Sequence, residues 1–216
     1  MPKKSDVPLR IIRAAIALFS RQGYHGTSTR DIARLADVSE VTVYRYFEHK
    51  EDIFWAALAS CFSTIKPRLG LLNSNPGVDA PEVVLPRILS LLIDTANFSP
   101  ELVRMIAVAF LEVRGRAEEV CREHLTPLFT AIAGYLEANI QLGRVRNLNP
   151  AIMTAGIALT VIAQPELSKL VEGSRLSKLD TRQAVEAYSA FWLGALVPSP
   201  QERSIASAPP EEALSA

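Results

Sequence analysis

Apolar positions recur at helical spacing along almost the whole chain, and no run alternates with a period of two for long enough to make a sheet. An all-α fold of about nine helices is expected. The first helix reads from about Pro8 to Gln22. Proline fits the first turn, where its missing N–H costs nothing; Ile12, Ala15, Ile16 and Phe19 form one face, and Gly23 ends the helix. Ser28-Thr29-Arg30-Asp31 reads as a capping box, the serine accepting the Asp31 N–H while the carboxylate reaches back to the cap N–H, and it predicts a short helix from Thr29 to about Ala36. Asp37-Val38 makes a tight turn, aspartate tolerating the left-handed conformation, and Ser39 caps a further short helix through Phe47. A fourth helix starts after His49, three residues before Asp52, and runs to about Ile65, where Pro67 is expected to disrupt it.

Residues 71–80, with Asn-Ser-Asn-Pro-Gly, read as a linker. Helices follow at about 81–97, 99–114, 117–142, 149–164 and 180–196, while 165–179 has no clear reading. After Pro198 the chain is too poor in large apolar residues to pack, and 198–216 reads as a disordered tail. The division is then 1–50, 51–197 and the tail.

Two short helices joined around Ala36-Asp37-Val38-Ser39 fit a helix-turn-helix, whose second helix enters the DNA major groove. Ile32, Ala33, Leu35, Val38, Val43 and Phe47 are spaced to pack inward, leaving Glu40, Val41, Thr42, Tyr44, Arg45 and Tyr46 for the groove and its phosphate walls. Thr42 and Arg45 suit base edges, Arg addressing guanine O6 and N7 together. Glu40 is expected to be solvated, since phosphates repel a carboxylate.

Charge changes the picture. The chain as a whole is neutral, yet residues 1–50 hold nine Lys/Arg against five Asp/Glu and the remainder fourteen against eighteen. A basic head on an acidic body points to an anionic partner, most often nucleic acid.

Other classes lose support. The two cysteines, Cys61 and Cys121, are far apart and build no disulfide framework; Cys121-x2-His124 supplies two metal ligands, too few for a site. Arg10 and Arg13 interrupt the N-terminal region before any signal-length apolar run, and 151–163 is shorter than a membrane span, so a cytoplasmic chain is expected. Dinucleotide, phosphate-loop, nucleophile-elbow and zinc-protease motifs are absent, so neither catalysis nor a cofactor is expected. A helical adaptor that binds protein through its head is the rival.

The run Ala14-Ala15-x3-Phe19-x3-Gly23-Tyr24-x2-Thr27-Ser28-x2-Asp31-Ile32-Ala33-x2-Ala36-x-Val38-Ser39-x2-Thr42-Val43-Tyr44-x2-Phe47-x2-Lys50-Glu51 resembles the DNA-binding domain of the TetR family of bacterial transcriptional regulators. The resemblance implies an N-terminal three-helix helix-turn-helix domain followed by a helical bundle for ligand binding and dimerisation. It implies a homodimeric repressor that binds a palindromic double-stranded operator and lets go when a small ligand enters the body; an activator of the same fold is the variant. It places Ser28 and Thr29 at a helix start facing a phosphate, Tyr44 on a phosphate or thymine methyl, Tyr46 on the DNA backbone and Lys50 on a phosphate. The family usually has glycine where Asp37 stands and often at Val41, so Val41 alters the groove-facing surface.

In the body, 180–196 carries an apolar arc wider than one core contact needs, and 149–164 has small residues that allow close approach. An intermolecular four-helix bundle is expected from them, with Ala155, Ala158, Tyr188, Phe191, Trp192 and Ala195 at the interface. A mainly apolar pocket for a small apolar or amphipathic ligand is expected among Cys61, Phe62, Arg104, Met105, Phe110, Cys121, His124 and Phe129, with Arg104 and His124 as polar anchors.

Overall fold

The computed structural model describes residues 6–69, 79–170, 179–199 and 202. Among them the regular structure is helical throughout, in nine continuous segments. These are α1 (Val7–Gln22), α2 (Thr29–Leu35), α3 (Glu40–Tyr46), α4 (Lys50–Leu69), α5 (Pro81–Phe98), α6 (Pro100–Val108) with a π turn (Ala109–Val113), α7 (Ala117–Val120) running through a second π turn (Cys121–Leu125) into α8 (Thr126–Gln141), α9 (Pro150–Leu170) and α10 (Thr181–Leu196).

The local signals explain most boundaries. Gly23 closes α1 at φ 75°, its N–H donating to the Phe19 carbonyl at 3.0 Å. Ser28 and Ser39 cap α2 and α3 through the N–H groups of Asp31 and Thr42, each at 3.1 Å. The expected box at Ser28 is only half formed, because the Asp31 carboxylate accepts the serine hydroxyl at 2.5 Å rather than the cap N–H. At α4 the other half of that device stands alone: the His49 N–H donates to Asp52 Oδ2 at 2.9 Å. Asp37 does take the left-handed conformation, φ 53°.

Two helices outrun their predicted ends. Pro67 does not stop α4, which continues to Leu69, and α9 passes Pro165 to reach Leu170. A proline removes one N–H and disfavours the helical conformation of its predecessor; at Pro67 only the last turn of α4 is at stake, while at Pro165 α9 continues past the one lost hydrogen bond. Most of the linker (71–78), most of the unread segment (171–178) and the tail beyond 199, residue 202 aside, lie outside the described residues.

The chain forms two compact units. The first is Met1–Leu71 with Asp94–Leu128, in which α1 packs on α2, α4 and α6. Its core is continuous from the head into α4 and α6: Ile11, Ala15, Phe19, Ile32, Val43, Ile53, Phe54, Leu58 and Met105 are all buried. Phe19 and Phe54 meet edge to face at 5.2 Å, and Phe54 meets Trp55 likewise at 5.1 Å. The buried stripe of α1 is Ile11, Ala14, Ala15 and Phe19, with Ile12 and Ile16 half-buried beside it, one position round from the expected face. Leu35, expected inside, is 55% exposed; Ile32, Ala33 and Ala36 fill the inward face, one turn separating 32 from 36.

The second unit is Leu72–Ile93 with Phe129–Ala216. Here α9 and α10 approach closely at Gly156, where a Cβ would meet Trp192 Cη2 at 2.8 Å. Arg146 closes the C-terminal end of α10, its guanidinium donating to the carbonyls of Gly194 (2.9 Å) and Ala195 (2.6 Å), where the helix dipole favours a cation. An Asp180–Gln183 capping box starts α10.

Candidate nucleic-acid interface and apolar crevice

The seven residues of α3 separate cleanly. Val43 is fully buried and anchors the helix, while Val41, 80% exposed, Tyr44, Arg45 and Tyr46 face outward. Leaving a valine side chain and two aromatic rings in water costs stability, and such exposure marks a face held for a partner. The Arg45 guanidinium lies 5.1 Å from the Tyr46 ring centroid, which steadies a long cation against a flat surface.

Behind that face a short relay joins α2 to α3. Thr29 Oγ1 lies 2.7 Å from Glu40 Oε1 and 3.2 Å from Tyr44 Oη. A carboxylate only accepts, so the threonine proton goes to Glu40 and Tyr44 donates to the threonine oxygen. Glu40 is therefore half-buried and bonded, not solvated as its charge suggested. Thr42 is held by the Ser39 hydroxyl at 2.8 Å. On α2, the Ser28 hydroxyl, with Arg34 and Arg30 adding to it, holds the Asp31 carboxyl below the usual carboxylate range.

Lys50 stands at the start of α4, but its ammonium turns into the head. It donates to the carbonyls of Tyr24 (3.0 Å) and Thr27 (3.1 Å) and sits 4.1 Å from the Tyr24 ring centroid. It ties α4 to the α1–α2 turn.

Two residues essential to this geometry carried no sequence signal. Arg10 on α1 donates through Nε to the Ala36 carbonyl at 2.9 Å and through Nη2 to the carbonyls of Ala36 and Asp37, bracing the helix-turn-helix from behind. Glu112, on the first π turn, accepts from the backbone N–H groups of Tyr24 (2.8 Å) and His25 (3.1 Å). Both act across long stretches of chain, where no spacing rule reaches.

Within the same unit, Trp55, Leu58, Phe62, Ile106, Ala109, Phe110, Val120 and Leu125 enclose an apolar crevice of about 10 Å³, room for a single water. Of the expected pocket residues, Phe62 and Phe110 line it. Cys61 and Met105 are buried in the core, and His124 stacks on Phe62 at 4.7 Å and opens onto a neighbouring polar hollow of about 240 Å³ with Asp52, Arg116, Glu119 and Glu123. Arg104 is half-buried on α6, Phe129 belongs to the second unit, and the Cys121 side chain lies outside the described residues. Burial, and then the Glu101 carboxylate, push the Cys61 thiol up to about 11.

In the second unit an apolar stripe is left uncovered: Ile152 and Leu159 on α9, two turns apart and 72% and 65% exposed, and Phe191 on α10, 63% exposed, with Ala195 one turn beyond. Ala155 and Tyr188 are half-buried beside it. Ala158 is buried and Trp192 turns toward Gly156, so these two serve packing within the chain. No helix of the described residues is long and apolar enough to cross a membrane.

Comparison with known proteins accords with this geometry. The family model described as bacterial regulatory proteins, tetR family, matches residues 11–57. The fatty acid metabolism regulator protein of Bacillus subtilis is 27% identical over 155 residues, 68% of this chain and 74% of that protein. The biofilm operon negative transcriptional regulator IcaR of Staphylococcus epidermidis is 35% identical over 54 residues, 25% of this chain and 29% of its own length. A solved Clostridium perfringens protein assigned as a fatty acid metabolism regulator has the same fold, with a TM-score of 0.71 at 19% identity over 88% of this chain and all of that one.

Proposed function

We propose that this chain, which belongs to the tetR family of bacterial regulatory proteins and is a DNA-binding transcriptional regulator, works as a homodimeric repressor of a palindromic operator, released by a small apolar or amphipathic molecule. The observation that carries the reading is the outward face of α3, Val41, Tyr44, Arg45 and Tyr46, standing on a helix whose inner side is locked by Val43 and by the Thr29 relay.

Arg45 is the side chain suited to a guanine edge, and Val41 offers two methyls to a thymine methyl. Tyr46, Ser28 and the start of α2 suit phosphate oxygens, which position the head without reading sequence. Thr29 and Lys50 act mainly by holding Tyr44 and the α1–α2 turn in place. Two copies joined along Ile152, Leu159, Phe191 and Ala195 would carry two such faces; helix-turn-helix dimers read half-sites about 34 Å apart.

The ligand reading rests on the crevice. It is apolar, and both π turns contribute to its wall, as π turns often do at functional sites. At one water's volume it has no room for a ligand, so an apolar molecule that enters it must move α4, α6 or α7. The name of the Bacillus subtilis relative makes acyl chains the first class to try.

Titration of a labelled duplex at several salt concentrations tests the DNA reading. Affinity should fall linearly on logarithmic axes, by nearly one unit of slope for each phosphate neutralised. Absence of any salt-dependent affinity would favour the protein adaptor.

A further inference from the structure

The α1–α2 turn is held by two charged side chains, one at the start of α4 and one in the π turn Ala109–Val113. Lys50 takes its carbonyls, at Tyr24 and Thr27, and Glu112 takes its N–H groups, at Tyr24 and His25. The fit at Glu112 is close: Gly23 has φ 75°, and a Cβ there would stand 2.6 Å from Glu112 Oε1. Glycine is needed at this point both for its backbone conformation and for the approach of the carboxylate.

Lys50 belongs to a regular helix, but Glu112 does not. It lies in the π turn Ala109–Val113, whose first two residues, Ala109 and Phe110, wall the apolar crevice. A π turn is an α-helix carrying one residue too many. Straightening it swings every following side chain by about 100°, the angle between successive residues of an α-helix. The same five residues thus have one end on the crevice and the other on the turn that precedes α2.

We propose that Glu112 is a positioning residue for DNA binding, and that the π turn carrying it transmits the state of the crevice to the head: packing that shifts Ala109 or Phe110 withdraws the carboxylate, frees the N–H groups of Tyr24 and His25, and loosens α2 and α3. This rests on the reading of the chain as a ligand-released DNA-binding regulator. The transmission ends on the backbone donors of the α1–α2 turn, whose carbonyls are held by Lys50 of α4.

The test uses the full chain, amide hydrogen exchange at Tyr24 and His25, and titration of an operator duplex. Glu112→Ala should speed exchange of both amides roughly tenfold or more, the scale set by losing hydrogen bonds to a charged group. Operator affinity should fall by about the same factor with its salt slope unchanged, because Glu112 touches no phosphate. Glu112→Gln keeps a carbonyl acceptor and should lose less on both readouts. Ala109→Leu, or the milder Phe110→Trp, should reproduce the fast exchange with Glu112 still present. Unchanged exchange in Glu112→Ala overturns the clamp, as does a tighter operator complex from simple removal of a negative charge. Unchanged exchange in both crevice variants overturns the transmission. If the wild type binds no duplex, the DNA reading fails by itself, and the exchange measurements still decide whether Glu112 pins the turn and whether the crevice reaches it.

Discussion

Arg10 braces the helix-turn-helix at Asp37: its guanidinium donates to the carbonyls of Ala36 and Asp37 and lies 3.5 Å from the Asp37 carboxylate. The carboxylate is fully exposed, so the ion pair itself contributes little. The carbonyl bonds matter more, since they end α2 and fix a non-glycine residue at φ 53°. Arg10→Met should cost about 1 to 3 kcal/mol in urea unfolding, and Asp37→Gly should raise stability by relieving the left-handed backbone. An Arg10→Met protein as stable as the wild type would leave the turn without its brace.

Lys50 should show a mixed phenotype. Its ammonium bonds two carbonyls inside the head, so Lys50→Met should destabilise the protein by about 1 to 3 kcal/mol and weaken every duplex by a similar factor. If the salt slope also drops by about one, Lys50 additionally meets a phosphate. Wild-type stability in Lys50→Met would count against the internal role.

Arg45→Ala should relax preference at particular base pairs, by about 1 to 3 kcal/mol if the contact is bidentate. Operators varied one base pair at a time read this directly. A uniform loss across all positions would move Arg45 to the phosphate contacts.

Phe191 and Trp192, adjacent in sequence, should behave differently. Phe191→Glu puts a charge on the exposed stripe and should give a folded monomer in sedimentation. Trp192 packs on Gly156, so Gly156→Ala should cost about 1 to 3 kcal/mol through overpacking while leaving the dimer intact. A wild type that sediments as a monomer at micromolar concentration removes the interface.

Alkaline pH should destabilise the fold in steps. Cys61 is raised by burial and then Glu101 to about 11, from 9.0, and Tyr135 by burial and then Asp79 to about 12, from 10.0. Both groups hold their protons more tightly when folded, so the stability they confer is complete below pH 9 and declines through pH 9–11 for Cys61 and 10–12 for Tyr135. Cys61→Ala should flatten the first decline; an unchanged pH profile in that variant contradicts the assignment.

The elements were legible wherever the determinant is local. Gly23, Ser28, Ser39 and Asp37 act within a few residues of their own position, and the sequence shows each directly. Pro67 misled because its effect depends on how near the helix end lies, which tertiary packing decides. Leu35 and Glu40 were misplaced for a related reason: which face of a seven-residue helix turns inward, and which hydroxyl meets a carboxylate, depend on the neighbouring helix. Arg10 and Glu112 were invisible, since their partners lie 26 to 88 residues away. The outward face of α3 was readable because Val43, with Phe47 four residues on, has the spacing to anchor it.

Selection of bound duplexes from a random pool tests the central claim most directly, because it reads DNA recognition, symmetry and half-site spacing together. The wild-type protein should enrich an inverted repeat with half-site centres about one helical turn apart, whose enrichment at particular base pairs weakens in the Arg45→Ala protein. A pool that stays random after repeated rounds at moderate salt, with wild-type protein folded and dimeric, would contradict it.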